Sequence, residues 1–343
     1  MSTTDSTENP AGGTRTVLVL LDTPDTELRS PVLELLTIGR ALGRVEVVAL
    51  EAPSVDVLAQ LGAYGVALVR QAEPSSGGEV VTGDALHLTP VVAEVLAAAT
   101  RASDADAVLL TSSFPNKEAA ARLAFLTEAG LVVDASALHD GGEHLVADKR
   151  VFAGSWEVRS EIVTDPAVLT VRANSVVPQP ADAAVATEVA ALRVELSPAA
   201  TAARVVSRTV DESAGAGRPA LGEAAVVVAG GRGTNGDFGP VMELADALGA
   251  AVGATRDAVY EGWHDQFVGQ TGVTVAPRLY IGAGVSGAPH HRGGMQASQV
   301  IVAVNNDPEC PLFEISDFAV VGDLADVLPQ AAEVLREHRA SQG

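Results

Sequence analysis

Cysteine is almost absent from this sequence. Cys310 is the single cysteine among 343 residues, so the chain cannot form an internal disulfide or a cysteine metal cluster. This usage is typical of a reducing compartment, and we expect a cytoplasmic protein without a bound metal. Cys310 lies between Glu309 and Pro311, and we expect it to act as a packing residue.

Basic residues and long apolar runs are also scarce. The chain has 22 Lys and Arg against 44 Asp and Glu, a formal net charge of −22, which argues against a nucleic-acid-binding surface because such surfaces need clustered positive charge. No stretch approaches about 20 uninterrupted apolar residues, so we expect no direct membrane insertion. Residues 1–14 lack the basic start and apolar core of a signal peptide, and we predict a disordered tail there.

Aromatic residues make up 3% of the chain, whereas hydrophobic residues reach 47%. The length suggests two domains with ample core. Between residues 16 and 134, short apolar runs alternate with helical patterns, which predicts an α/β fold with a parallel sheet. No glycine-rich phosphate loop follows the first run, where Asp22 and Thr23 stand instead. This first domain is therefore expected to be a nucleotide-binding-like scaffold.

The pattern changes after this alternation. Two segments between residues 149 and 173 are predicted to be antiparallel strands that extend the first sheet into a mixed one. We predict an alanine-rich helix at 181–191 and a final strand at 204–210. Residues 211–224 have the composition of a linker. The predicted domains are therefore residues 15–210 and 225–343.

The second domain opens with a strand, a glycine-rich loop and a helix. The run AVVVA at 225–229 precedes GGRGTNGDFG at 230–239, in which Gly231, Gly233 and Gly236 satisfy G-x-G-x-x-G. This order presents backbone N–H groups to an anion such as pyrophosphate. The acidic ribose ligand expected about 20 residues later is missing. Two alternatives stay open: an NAD(P)-dependent dehydrogenase in which Arg256 contacts a 2′-phosphate, and a non-redox adenine-nucleotide-binding regulatory module.

Six ordered motifs follow one another in the last third of the chain. They are GGRG at 230–233, VGATR at 252–256, VGQTG at 268–272, LYIGAGVSGAPHH at 279–291, AVNNDP at 303–308 and VGDL at 321–324. In sequence and spacing this series resembles the alpha subunit of electron transfer flavoproteins. The resemblance covers the last third closely and the rest by general pattern.

The resemblance implies an electron carrier rather than an enzyme with its own substrate and catalytic residues. It implies a doubly wound C-terminal domain that binds FAD and an N-terminal domain that faces a beta subunit in a heterodimer. It also implies that electrons arrive from acyl-CoA or other dehydrogenases, as in fatty acid beta-oxidation. They leave to a membrane electron transfer flavoprotein:quinone oxidoreductase.

The family's cofactor-binding positions carry over residue by residue. They are Arg232, Thr255, Arg256, Val268, Gly269, Gln270, Thr271, Ser286, Gly287, Ala288, Pro289, His290, His291, Asn305, Asp323 and Leu324.

The chemistry of these residues suits a flavin dinucleotide. The Arg232 guanidinium suits pyrophosphate or an electron-rich ring, and a fixed charge on Arg256 would favour the reduced flavin. The resemblance places Thr271 near flavin N5 and a histidine at the pyrimidine edge, which is His291 by position, with His290 still open. Asn305 and Asp323 have equally good structural roles, in a turn and as a helix N-cap respectively.

Overall fold

A computed structural model describes residues 15–22, 27–152, 154–209 and 217–342. The predicted disordered tail and the first half of the predicted linker lie outside these ranges. The chain divides into two compact units, one made of residues 1–149 and 159–208 and the other of residues 150–158 and 209–343. The domain boundaries drawn from the sequence stay a prediction.

The N-terminal part of the chain alternates strands and helices, as predicted. From the first described residue to Glu195 the elements are β1 (Arg15–Leu21), α1 (Ser30–Leu42), β2 (Gly43–Ala49), α2 (Val55–Ala63), β3 (Leu68–Ser76), β4 (Glu79–Val80), α3 (Thr89–Ser103), β5 (Ala107–Thr111), α4 (Phe114–Thr127), β6 (Gly130–Ala135), β7 (Ala137–Asp140), β8 (Leu145–Val151), β9 (Trp156–Ile162), β10 (Ala167–Val171) and β11 (Glu188–Glu195).

The first unit is built on one sheet with helices on both faces. Its strand order is β11-β3-β2-β1-β5-β10-β6, and the short β4 pairs antiparallel with β3. Side chains of α1 and α2 pack on one face in one core cluster, and those of α3 and α4 pack on the other face. The apolar runs form strands because parallel strands buried on both faces need nearly continuous Val, Ile and Leu. The predicted α/β class with a mixed sheet is confirmed.

The prediction for residues 149–173 is wrong in two respects. β10 lies inside the sheet, parallel to both β5 and β6, with Ala167 opposite Ala107 and Gly130. All its residues are buried, which an exposed antiparallel extension would not allow. β8 and β9 belong with β7 to a separate three-stranded sheet.

The prediction of a helix at 181–191 is also wrong. Residues 181–187 are irregular, and β11 follows them, parallel to β3. The segment donates its N–H groups to the last turn of α2, from Ala181 to the Ala63 carbonyl at 2.9 Å and from Val185 to the Gly62 carbonyl at 3.0 Å. Helix carbonyls without an intrahelical partner attract such donors. This segment therefore caps α2 instead of forming its own helix.

The strand predicted at 204–210 does not form over its described residues. Residues 204–209 are neither helix nor strand, and Val206 is 88% exposed. A strand requires a neighbour that supplies ladder hydrogen bonds. This segment forms none with the described residues.

The second unit carries its own sheet and four described helices. Its elements are β12 (Val226–Gly230), α5 (Gly239–Leu248), β13 (Ala251–Ala254), α6 (Arg256–Tyr260), β14 (Leu279–Ala283), α7 (Pro289–Met295), β15 (Val300–Asn305), β16 (Phe318–Val321) and α8 (Leu324–Gln342).

All five strands of this sheet run parallel, in the order β13-β12-β14-β15-β16. The chain moves outward in one direction from β12 to β13 and then in the other from β14 to β16. The strand order therefore reverses between β12 and β14, where doubly wound folds place their ligands. The predicted doubly wound C-terminal domain is confirmed.

Within the described ranges, no helix combines the length and apolar character needed to cross a bilayer.

The contact between α2 and residues 181–187 predicts that a larger residue at position 62 would destabilise the fold. A Cβ at this position would lie 2.3 Å from the Val185 carbonyl oxygen, so Gly62→Ala must displace the capping segment. We expect the free energy of unfolding to fall by about 1–3 kcal/mol, measured by urea denaturation. In an unobstructed helix the same change would instead stabilise by about 1 kcal/mol. A gain in stability would contradict the tight packing of this segment on α2.

Candidate functional site

The carboxyl ends of the second unit's strands meet at one edge of the sheet. Gly230, at the end of β12, lies beside Ala254 of β13 and Ala283 of β14, and Ala283 lies beside Val304 of β15. The loops that follow these strands therefore emerge side by side. They line a cleft of about 400 Å³, which is in the size range of small-molecule sites.

The glycine loop after β12 makes direct backbone contact with the loop after β14. Gly231 N–H donates to the Ala283 carbonyl at 2.9 Å, and Gly233 N–H donates to the Gly284 carbonyl at 3.0 Å. A Cβ on Gly231 would lie 2.3 Å from Gly284 O, and one on Gly233 would lie 2.6 Å from Gly284 Cα. These glycines thus allow two loops to touch. The expectation that this loop offers its N–H groups to pyrophosphate is wrong for Gly231 and Gly233.

Backbone donors are available instead in the loop after β14. The N–H groups of Ser286, Gly287 and Ala288 donate to no acceptor among the described residues, and all three residues line the cleft. Gly287 has φ +78°, and a Cβ there would lie 2.8 Å from Leu312 Cα. Only glycine fits this position. The loop therefore offers a row of backbone donors to a polar or anionic ligand.

Arg292 fixes this loop, and sequence reasoning missed it. Its Nε donates to the Gly287 carbonyl at 2.7 Å, one terminal nitrogen also donates to the Pro311 carbonyl, and both terminal nitrogens lie 3.1 Å from Glu314 Oε2. The partners of Arg292 lie up to 22 positions from it in the sequence. No local pattern predicts this role.

Two of the predicted arginines line the cleft with different electrostatic surroundings. Arg232 Nε lies 3.4 Å from Asp257 Oδ2, and both side chains are largely exposed. Arg256 is exposed and forms no ion pair with any residue that the structure describes. Because Asp257 pairs with Arg232, Arg256 is the arginine of the cleft whose guanidinium has no ion-pair partner among the described residues.

Thr255 contributes a hydroxyl without a partner. It lies at the N-cap of α6 with extended backbone angles, yet its side chain makes no capping hydrogen bond. Its Oγ1 is buried and has no hydrogen-bond partner in the described part of the chain. Such a group costs about 1–3 kcal/mol of stability when it stays unpaired. A polar ligand in the cleft would remove this cost.

The two adjacent histidines are in different environments, although both line the cleft. His291 is 5% exposed on α7, and its Nε2 lies 2.6 Å from the hydroxyl of the fully buried Tyr280. Burial lowers the pKa of His291 to about 4, and the backbone of Val268 opposes part of this shift. His291 is therefore neutral at pH 7. His290 is exposed, with its Nδ1 3.4 Å from Gln270 Oε1.

The predicted flavin-contacting loop at 268–271 lies mostly outside this cleft. Val268 is fully buried, and its N–H donates to the Ala254 carbonyl at 3.0 Å. Gly269 is also buried, whereas Gln270 and Thr271 are exposed and do not line the cleft. Phe267 lines the cleft instead. A ligand role for residues 268–271 stays a prediction.

The remaining predicted residues have visible structural roles. Asn305 lines the cleft, donates to the Val285 carbonyl at 3.2 Å and accepts from Asp307 N–H at 3.0 Å. Asp323 accepts from Ala325 N–H at 2.9 Å and so caps α8. Leu324 is a core residue at 7% exposure, and Pro289 occupies the first turn of α7. No group of His, Cys, Asp and Glu among the described residues gathers as a metal site.

Comparison with known proteins assigns the family. Residues 17–197 match the family model described as electron transfer flavoprotein domain, and residues 220–296 match the one described as electron transfer flavoprotein FAD-binding domain.

Curated relatives named electron transfer flavoprotein subunit alpha cover nearly the whole chain. One from Mycobacterium leprae is 42% identical over 94% of this chain and 98% of its own length. One from Bacillus subtilis is 34% identical over 94% of this chain and 97% of its own length. In Paracoccus denitrificans, 128 residues are 52% identical, covering 36% of this chain and 42% of that protein. The chain therefore belongs to the alpha-subunit family of electron transfer flavoproteins, and most residues that line the cleft lie in the part that matches the FAD-binding domain.

Proposed function

We propose that this chain holds FAD in the cleft of its second unit and carries electrons as one half of a heterodimer with a beta subunit. The observation that carries this proposal is the set of unpaired polar groups around the cleft. Free backbone donors at 286–288, the unpaired Arg256 and the orphaned Thr255 hydroxyl all line it. They suit a ligand that carries phosphates and a polar ring.

The cofactor supplies reversible uptake of electrons, and the protein supplies its binding and electrostatics. The N–H groups of Ser286 and Gly287 bind oxygen atoms of the ligand. Arg256 stabilises the negative charge that the cofactor gains on reduction. Neutral His291 contributes a hydrogen bond rather than a second full charge. Phe267 adds an apolar ring to the lining of the cleft.

A beta subunit would complete the site. Pockets of about 300–1,000 Å³ hold drug-sized ligands, and FAD is larger than these, whereas this cleft measures about 400 Å³. Part of a bound FAD would therefore stay open to a second chain. The remaining contacts assigned by resemblance, from Val268 to Thr271 and at Asp323, belong to this proposal.

The expected electron donors are acyl-CoA or other dehydrogenases, and the expected acceptor is a membrane electron transfer flavoprotein:quinone oxidoreductase. The chain would work in the cytoplasm, for example in fatty acid beta-oxidation. As a carrier it needs no substrate turnover of its own. The dehydrogenase alternative is disfavoured because Gly231 and Gly233 donate their N–H groups within the protein.

The first test is to co-express the chain with a candidate beta subunit, record an absorbance spectrum and identify the released cofactor by mass. We expect a yellow complex with about one FAD per heterodimer, as a single pre-formed site implies. A colourless complex whose melting temperature rises with NADP and not with FAD would contradict the proposal. A colourless complex that responds only to adenine nucleotides would favour the regulatory module.

Arg256 provides a test of whether a positive charge in the cleft raises the midpoint potential of the bound cofactor. In the FAD-loaded heterodimer, Arg256→Ala should lower the two-electron midpoint potential by about 20–40 mV, because about 1–2 kcal/mol of charge stabilisation is lost. Arg256→Lys keeps the charge and should retain most of the potential. Arg122→Ala, in the first unit, is the control and should change nothing. An unchanged potential in Arg256→Ala would remove this role.

Burial of His291 predicts a pH dependence of stability. Its folded pKa of about 4 lies below the ordinary value of about 6.5, so the unfolded chain binds a proton first as pH falls. The contribution of neutral, buried His291 to the free energy of unfolding is fully present above pH 6.5. It is lost between about pH 6.5 and 4, by up to about 3 kcal/mol. Urea denaturation at pH 7.5 and 4.5 should show a smaller loss in His291→Gln. The exposed His290→Gln should keep the full loss, and equal losses in both variants would contradict the assignment.

A further inference from the structure

A buried tyrosine–histidine pair lies at the wall of the cleft. Tyr280 is on β14 and His291 is on α7, at 0% and 5% exposure. The Tyr280 hydroxyl is 2.6 Å from His291 Nε2, and the rings are 6.1 Å apart and tilted by 57°. Tyr280 makes no other side-chain hydrogen bond with the described residues. The Tyr280 hydroxyl and His291 Nε2 are therefore each other's hydrogen-bond partner.

The direction of this hydrogen bond follows from counting hydrogens. Burial raises the pKa of Tyr280 well above its ordinary value, so the hydroxyl keeps its proton and has one hydrogen to donate. If Nε2 also carried a hydrogen, one of the two would be buried without an acceptor, at a cost of about 1–3 kcal/mol. Donation from the hydroxyl to an unprotonated Nε2 pairs the hydroxyl hydrogen and leaves the ring hydrogen on Nδ1, beside the Val268 backbone.

The other ring nitrogen then carries the hydrogen. Because His291 is neutral, a bare Nε2 requires a protonated Nδ1. The Val268 backbone raises the His291 pKa, as a carbonyl acceptor beside a ring N–H does. Val268 N–H already donates to the Ala254 carbonyl at 3.0 Å, which leaves its carbonyl for this role. The contact of buried Nδ1 with this carbonyl does not reach the geometry of a standard hydrogen bond, so its hydrogen stays available to a better-placed acceptor.

We propose that Tyr280 is a positioning residue that fixes His291 as the neutral tautomer protonated on Nδ1, so that the cleft meets this histidine as a hydrogen-bond donor. Such a donor recognises a ligand through an acceptor atom such as a ring carbonyl oxygen, and the bond strengthens when that oxygen gains negative charge. The consequence for FAD rests on the proposed function. The tautomer itself does not.

Nuclear magnetic resonance tests the tautomer directly. In the whole chain with ¹⁵N-labelled histidine, long-range ¹H–¹⁵N spectra at pH 7 report which ring nitrogen carries the hydrogen. The His291 signals are identified by their loss in His291→Gln. We expect a protonated Nδ1 and an unprotonated Nε2, both without and with FAD. A protonated Nε2 in the wild-type chain would overturn the proposal without any variant.

Tyr280→Phe tests the role of the hydroxyl. The Nε2 resonance should move, because its hydrogen-bond donor is gone, while the signals of the exposed His290 stay in place. In the heterodimer the dissociation constant for FAD should rise by about threefold to tenfold, as expected when His291 is no longer fixed and its hydrogen bond to the ligand is lost. The control is Tyr260→Phe, at a residue that is 80% exposed, and it should change neither quantity.

The outcomes separate this proposal from the proposed function. An unchanged Nε2 resonance in Tyr280→Phe overturns the positioning role, and an unchanged dissociation constant overturns its link to the cofactor. A wild-type heterodimer that binds no FAD but shows the expected Nδ1 tautomer refutes the proposed function alone. Circular dichroism of Tyr280→Phe checks its folding, and the wild-type spectrum stays decisive if that variant does not fold.

Discussion

Close backbone contact between glycine loops is the constraint on which the cleft depends. Gly231 and Gly233 meet Gly284 so closely that a Cβ at any of these positions would lie within 2.3–2.7 Å of the opposing backbone. A Cβ on Gly294 of α7 would likewise lie 2.3 Å from Gly269 Cα. The walls of the cleft are therefore backbone surfaces fixed against each other.

This arrangement makes the cleft less acidic than the chain as a whole. The whole sequence carries a formal charge of −22, whereas the cleft is lined by Arg232 and Arg256 against Asp257 and Asp307, and Arg256 forms no ion pair with the described residues. Buried His291 adds a polar group and no charge at pH 7. Because nearby charges act more strongly than distant screened ones, an unpaired Arg256 in the cleft can act on a ligand there despite the acidic surface of the chain.

The first unit illustrates how tertiary contacts override a local pattern. Residues 181–187 have a helical composition, but the free carbonyls at the end of α2 take up their N–H groups. The run at 167–171 was predicted to extend the sheet as an antiparallel strand, yet it lies between β5 and β6 and runs parallel to both. Both errors arose because the competing partner is distant in sequence. The strands and helices before residue 135 were predicted well because each has its own strong apolar period.

Motifs and apolar periods are local properties, so they were enough to predict the class of fold, the order of strand, loop and helix in the second unit, and the family. They also identified Arg256 and the 286–288 loop as candidate site residues. The folded chain was needed to show that Gly231 and Gly233 serve loop contact, that Arg292 fixes the loop after β14, and that His291 is buried while His290 is exposed. These facts depend on which distant backbone or side chain fills the adjacent space, and that is set by packing across the parallel sheet rather than by neighbours along the chain.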